Sequence, residues 1–460
     1  MAAPAASYRM PPGPRLPRWA QTLLFVFASR RFISAAYRRH GDLVSFSTHF
    51  DNRFVMVFGP DAIKQVFTGP PDVLHAGEAN AVLGPVLGDR SVLLLDGVEH
   101  LHHRRLMLPP FHGARMQAYE RVMREAADRA IDRWPVGRPF QLLPEMQALT
   151  LEVIMRAVFG IEDGASADEL ETAIRGMIEP FSNRAGLLVA MLSAGRFGDR
   201  GAMKRFEDRR RRVDELIYAE IARRREAADL AEREDILSLL LEARDEEGEP
   251  LTDRELRDQL VTLLVAGHET TATGLAWTFE LLLRAPAVER RLRESLAAGG
   301  DDYLDAVVKE SLRMRPVVPG VGRKLQAPFE VGGYLLPAGT ELNPSIALMH
   351  RRSDLYPEPD TFRPERFLDP DTAPDTYTWI PFGGGIRRCL GASFATFEMG
   401  VVVRRVLERA RLAAADPRPE RVYQRGITLV PKHGARVVQP QAPAAASHSS
   451  AQADETLSRA

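Results

Sequence analysis

Apolar residues recur at helical spacing through most of residues 113 to 245, between charged faces such as Arg209–Arg212 and Arg223–Arg225. That pattern predicts a largely helical stretch, with the basic runs as solvated helix faces. Ahead of it, the apolar runs Val44–Ser47 and Phe54–Phe58 predict a strand pair. Gly59-Pro-Asp then opens a helix, with Asp61 in its first turn, where a negative charge suits the dipole. Residues 70 to 97 are rich in Gly, Pro and Asp and read as a long functional loop. Thr252-Asp-Arg-Glu255 has the form of a capping box. The pattern after it meets no proline until Pro286, which predicts a helix to about Arg284. Such a helix has about 32 residues and a length of roughly 48 Å at 1.5 Å per residue, enough to cross a whole domain. A second helix from about Asp301 should stop near Pro316. Short strands and proline-rich turns follow to Pro381, then a last long helix to about Arg409. The chain is therefore expected to be mainly α with a smaller β portion, an α+β arrangement.

The 460 residues carry 61 Lys plus Arg against 62 Asp plus Glu, a formal net charge of −1. A near-neutral chain has no bulk attraction for nucleic acid or an acidic membrane, so neither partner is expected. Hydrophobic residues make up 45%, enough for a large core. The length alone would allow two or three domains. No internal repeat or nucleotide-binding fingerprint divides the sequence, so residues 1–438 read as a single domain. From Gln439 to Ala460, Ala, Ser, Gln and Pro dominate, and that tail is expected to be disordered. The most apolar early stretch, Trp19–Ala28, is about ten residues, where a membrane span needs about twenty. Arg15, Arg18, Arg30 and Arg31 flank it. It is expected to form an amphipathic helix packed on the body, with a weak peripheral membrane contact left open. No secretory signal pattern is present. Together with one cysteine, this points to a cytoplasmic chain with no transmembrane segment and, by default, a monomer.

Cys389 is the sole cysteine. It can form no intrachain disulfide and cannot alone fill a cysteine-rich zinc or iron–sulfur site. A thiolate can, however, be the single protein ligand of a haem iron. The setting, Phe382-Gly-Gly-Gly-Ile-Arg-Arg-Cys-Leu-Gly391, suits that role. Gly383, Gly384 and Gly385 would let the backbone approach a flat ligand. The run from Ala392 reads as a helix whose N-terminus favours a thiolate. Arg387 is placed to meet a haem carboxylate. The alternative is a small buried hydrophobe, the usual fate of a free cysteine.

In the long central helix, Ala266 and Thr270 stand at i and i+4 and share a face, with Gly267 and Glu269 between them. Small residues there would admit a haem and O2. A Thr hydroxyl bonded to the i−4 carbonyl can loosen the helix locally. Glu269 could then pass protons while Thr270 holds a water network. Glu310 and Arg313, at i and i+3, are helix neighbours. His100 and Arg104 also share a face. His102 and His103 beside them raise the idea of a metal cluster. One short helical stretch cannot turn three histidines the same way, so a zinc site is not expected.

Phe382, Gly385, Arg387, Cys389 and Gly391 together match F-x-x-G-x-R-x-C-x-G, and the chain resembles the cytochrome P450 family over roughly residues 10 to 435. Ala266–Thr270 is similar to that family's A/G-G-x-D/E-T pattern, with Glu269 in the acidic slot. Glu310–Arg313 is similar to its E-x-x-R pair. Phe362–Phe367 resembles its later arginine segment, which implies that Arg366 joins Glu310 and Arg313 in a structural charge network. His100, Arg104, Arg323 and Arg387 match its haem-propionate positions. The resemblance implies the P450 fold, with a long central helix over one haem b and Cys389 as axial ligand. Ala266, Gly267, Phe382, Gly385 and Gly391 would lie against the cofactor.

The implied reaction inserts one oxygen atom from O2 into a C–H or C=C bond of a hydrophobic organic substrate. Two electrons and two protons come from outside. With no reductase domain visible, a ferredoxin or flavodoxin with its reductase is implied, steered by Arg105, Arg351 and Arg388. Implied substrate contacts lie in the 76–94 loop, in the helix around 178–192, at Leu263–Ala266, at Val317–Val321 with Val317 and Val318 foremost, and at Gly426–Thr428 with Ile427 foremost. Leu187, Leu188 and residues 190–192 are apolar and would either line a lid or pack in the core. Membrane-bound members carry an anchor ahead of a proline-rich hinge. This chain keeps the hinge-like Pro11-Pro-Gly-Pro14 and shows no anchor, which implies a soluble, bacterial-type member. Rival readings are a haem-thiolate peroxygenase, dehydratase or isomerase using no external electrons, and a haem-binding sensor. Glu269 and Thr270 argue against both, because an oxygen-activating acid–alcohol pair would then be unnecessary.

Overall fold

The computed structural model describes residues 8–441 apart from 50–52, 112, 114, 161–164 and 179–199. Helices make up most of it. They are α1 (Arg18–His40), α2 (Pro60–Thr68), α3 (Gly97–Met107), α4 (Arg115–Asp132), α5 (Leu142–Phe159) and α6 (Ala165–Ile178). After them come α7 (Arg200–Arg225), α8 (Ile236–Glu242), α9 (Asp253–Leu282), α10 (Pro286–Ala297), α11 (Asp302–Met314) and α12 (Ala392–Arg409).

The 30-residue α9 begins where the capping box predicts. The Glu255 N–H donates to Thr252 Oγ1 at 3.3 Å, and the Thr252 N–H donates to Glu255 Oε2 at 2.9 Å. Every residue from Thr271 to Leu282 is buried. A helix buried on all sides sits at the centre of its domain. Around it pack α5, α12, α11 and α7, with α4 on α5 and α12, in a core that includes Met123, Leu149, Phe159, Leu275, Phe279 and Val402. Thr150 Oγ1 donates to the His268 carbonyl at 2.9 Å and fixes α5 against α9.

The β portion is smaller. Strands β1 (Leu43–Phe46) and β2 (Phe54–Val57) pair antiparallel, as the early apolar runs predict. With β3 (Leu74–His75), β5 (Arg323–Leu325) and β8 (Glu341–Pro344) they form a five-stranded sheet in the order β1-β2-β8-β5-β3. Only β2 and β8 run parallel in it. A second core under this sheet contains Ile63, Phe67, Leu325 and Leu342. Strand β4 (Phe140–Gln141) joins β9 (Ala413–Ala414) and β12 (Arg436–Val438) in a three-stranded sheet. Two hairpins stand apart, β6 (Phe329–Val331) with β7 (Tyr334–Leu336) and β10 (Val422–Arg425) with β11 (Thr428–Pro431).

Three features differ from the pattern reading. Residues 70 to 97 are not a plain loop but hold helical turns at Ala76–Ala79, Ala81–Leu83 and Gly84–Leu87. Asp96 ties them down by accepting the Ala76 and Gly77 N–H groups at 2.8 Å each. Pro286 does not only end α9. It also starts α10, because a first-turn proline loses no helix hydrogen bond. Gln439 belongs to the body, since its carbonyl accepts the Gly137 N–H at 2.8 Å. The rest of the expected tail, from 442, and the expected lid or core segment around Leu187 lie outside the described residues. No helix among the described residues is long and apolar enough to cross a membrane.

Candidate active site

Cys389 sits in the turn that leads into α12. Its N–H donates to the Phe382 carbonyl at 2.9 Å, which closes the loop into a tight arch. Gly383 and Gly385, at φ of 68° and 66°, take the left-handed conformation that the arch requires. At Gly384 and Gly385 the room a side chain would take is filled by the protein itself. A Cβ on Gly385 would lie 1.9 Å from the Phe67 carbonyl oxygen, and one on Gly384 would lie 2.2 Å from the Phe67 ring. Phe67 of α2 is thus the template on which the cysteine loop is moulded. Phe382 packs against Trp379, with ring centroids 6.1 Å apart. Gly391 is the N-cap of α12.

The Cys389 residue carries accessible surface. Burial by surrounding protein is nevertheless the largest influence on its thiol and pushes the pKa up. A group that is accessible yet desolvated faces an internal space rather than bulk solvent. The Gly391 N–H, Arg104 and Arg388 act the other way and favour the thiolate. Ala266 is solvent-accessible too. It is exposed in the middle of α9, a helix otherwise almost wholly buried. Thr270 Oγ1 donates to the Ala266 carbonyl at 2.6 Å, the back-bond predicted from the sequence. Gly267 has a packing role as well. A Cβ there would come 3.1 Å from Ile154, so this glycine serves the close packing of α5.

His100, Arg104, Arg323 and Arg387 converge from α3, β5 and the cysteine loop. Burial first, then the cations Arg387, Arg104 and Arg323, push the His100 pKa down to about 3. Burial likewise lowers Arg323 and Arg387 to about 10. Arg387 donates to the Leu95 and Leu93 carbonyls at 2.6 and 3.1 Å. The nearest carboxylate is Asp96, 3.9 Å from Arg387. Its oxygens already accept the N–H groups of Ala76, Gly77 and Glu78. A narrow recess is lined by His100, Arg323, Arg387, Asp96 and Phe67. Arg323 and Arg387 face one committed carboxylate, with half-buried Arg104 nearby, and this leaves positive charge that a dianionic ligand would balance. A haem, with two carboxylates and an iron that takes a thiolate, fits this donor set.

The other two histidines of α3 face different neighbours. His103 meets Gln259 at 3.1 Å and Glu255 at 3.4 Å, and His102 lies 3.8 Å from Asp245.

Glu269 is the site residue whose surroundings the sequence did not anticipate. Arg425 of β10 donates to its Oε1 from Nη2 at 2.7 Å and from Nε at 3.1 Å, with Thr428 Oγ1 at 3.4 Å. Arg425 is 156 residues away and belongs to no motif. Ile427, between Arg425 and Thr428 at the hairpin tip, is half exposed. Val318 is half-buried. Val317 is buried rather than open, and its carbonyl accepts the Leu429 N–H at 2.7 Å.

Glu310, Arg313 and Arg366 assemble as expected. Arg313 Nε and Nη2 donate to the two Glu310 oxygens at 2.6 and 2.8 Å, and Arg366 Nε donates to Oε1 at 3.1 Å. Arg313 also donates to the His350 carbonyl at 2.7 Å, and His350 Nε2 accepts the Ile380 N–H at 2.9 Å. The network therefore reaches the strand of chain that enters the cysteine loop.

Fold and site have the form of the haem-thiolate class. The cytochrome P450 family model matches residues 11–437. The chain is 41% identical over 430 residues to "Putative cytochrome P450 135A1" of Mycobacterium tuberculosis, covering 93% of this chain and 94% of that protein. It is 43% identical over 438 residues to "Putative cytochrome P450 135B1" of Mycobacterium bovis, covering 94% and 92%. Among solved structures, a retinoic-acid-bound cyanobacterial cytochrome P450, CYP120A1, superposes with a TM-score of 0.80 at 24% identity, covering 94% of this chain and 99% of that one. This chain belongs to the cytochrome P450 family. Its members are haem-binding monooxygenases, and the chain is an oxidoreductase of that kind.

Proposed function

We propose that the protein binds haem b through Cys389 and inserts one atom of O2 into a hydrophobic organic substrate, with electrons from a ferredoxin or flavodoxin and its reductase. The observation that carries this reading is the accessible but desolvated Cys389 beside an unbalanced group of buried cations. When bound, the haem supplies the redox chemistry that activates O2. The chain's own residues do the rest. The Gly391 N–H and Arg104 stabilise the Cys389 sulfur as thiolate. His100, Arg104, Arg323 and Arg387 hold the two haem carboxylates. Ala266 would leave room for the cofactor against α9. Thr270 holds a water against α9, and Glu269 relays protons to it from the Arg425–Thr428 side. Val318 and Ile427 contact the substrate.

Of the arginines expected to steer the electron donor, Arg105 is paired with Glu246 at 2.6 Å and Arg351 with Asp360. Arg388 is exposed and, among the described residues, has no carboxylate partner. It is therefore the strongest of the three as a contact for an acidic carrier. The test is the absorption spectrum of the reduced, CO-bound protein. The parent should show the thiolate-type Soret band, and Cys389→Ser should lose it. A thiolate-type band that survives in Cys389→Ser would overturn the assignment.

A further inference from the structure

Helix α1 turns an apolar face outward. Trp19, Leu23, Val26 and Phe27 are 60%, 49%, 44% and 76% exposed. They stand at i, i+4, i+7 and i+8, on one face of the helix and ahead of its bend at Ala28. The opposite face is the one attached to the protein. Gln21 is buried, donates to the Leu16 carbonyl at 2.9 Å and accepts the Ser47 N–H at 3.1 Å. Phe25 packs edge-on against Phe46 and Phe54 at 5.1 and 5.3 Å between centroids. Single exposed apolar residues are ordinary, but four adjoining ones on a fixed helix face form a patch.

The charge around that patch has one sign. Arg15, Arg18, Arg30 and Arg31, each within four residues of the patch in sequence, are exposed. No acidic residue precedes Asp42 in the sequence. Among the described residues no carboxylate pairs with any of these arginines. The whole chain has a net charge of −1, so this positive density is local. Exposed aromatic and aliphatic side chains flanked along the chain by arginines are the chemistry of an anionic lipid surface. A second copy of the chain suits the face poorly, because a two-fold contact through α1 would set these arginines against their own equivalents.

We propose that α1 is the face by which this protein lies on an anionic phospholipid bilayer, with Trp19, Leu23, Val26 and Phe27 in the headgroup boundary and the arginines on phosphates. The proposal is independent of the monooxygenase reading. Its test is co-sedimentation of the haem-loaded full chain with vesicles of phosphatidylglycerol and phosphatidylcholine, or of phosphatidylcholine alone. The parent should pellet with the anionic vesicles, roughly tenfold or more weakly with the neutral ones, and less in high salt. Trp19→Ser with Phe27→Ser should keep the CO-bound spectrum and lose roughly tenfold or more of the binding. A parent that stays in solution, equal binding to neutral vesicles, or full binding by the double variant would overturn the proposal. So would lipid-free self-association that the same substitutions abolish, which would assign the patch to a second copy.

Discussion

Glu310 and Glu269 both lie on helices of the core and both accept hydrogen bonds from arginine, but their surroundings differ. Glu310 is fully buried and both of its oxygens are engaged, by Arg313, Arg366 and the Arg363 N–H. Glu269 keeps 17% of its side chain exposed, and all its donors converge on Oε1. Among the described residues no hydrogen bond reaches its Oε2. A sealed and fully satisfied network holds one geometry and resists change. A carboxylate with one free oxygen and access to water can turn and exchange a proton. The first arrangement fixes the cysteine loop, and the second is suited to chemistry.

Substitution should separate the two sharply. Glu310→Ala leaves Arg313 buried without its counter-ion, and breaking such a pair costs about 3–5 kcal/mol. The expected result is a large drop in the denaturant midpoint and poor haem retention. Glu269→Gln should do the reverse, leaving the midpoint nearly unchanged while kcat falls by about 10²-fold, the scale of a lost general acid. Equal destabilisation by both substitutions would erase the contrast. Thr270→Ala is expected to have a smaller effect on the rate of electron use. Its signature is a lower yield of product per electron, measured as product formed against reductant consumed. An unchanged yield would remove Thr270 from the proton path.

Much of this contrast was legible before the structure. The capping box at Thr252, the Thr270 back-bond and the Glu310–Arg313 pair are all local, set by spacings of three or four residues along one helix. Such spacings survive whatever the rest of the chain does. What stayed hidden depends on distant contacts. Arg425 reaches Glu269 from a hairpin 156 residues away, and Phe67 dictates glycine at 384 and 385 from a helix over 300 residues earlier. No periodicity encodes either contact. The glycines could be read as necessary, but not for whom they made room.

His350 offers the finest test of how the sealed network is maintained. It is wholly buried, and its Nε2 must remain unprotonated to accept the Ile380 N–H at 2.9 Å. Burial first, then the neighbouring Arg313 cation, push its pKa down to about 3. The unfolded chain, with an ordinary histidine pKa near 6.5, binds the proton first as pH falls. The stability that this histidine contributes is therefore present above about pH 6.5 and is lost progressively towards about pH 3. Each pH unit in that window costs up to about 1.4 kcal/mol for this one group. His350→Gln keeps an acceptor for Ile380 and removes the titration. Its denaturant midpoint should fall less steeply than the parent's between pH 6.5 and 4.5, measured on both proteins in the same buffers. Parallel acid limbs for the two proteins would show that His350 does not couple protonation to the cysteine-loop support.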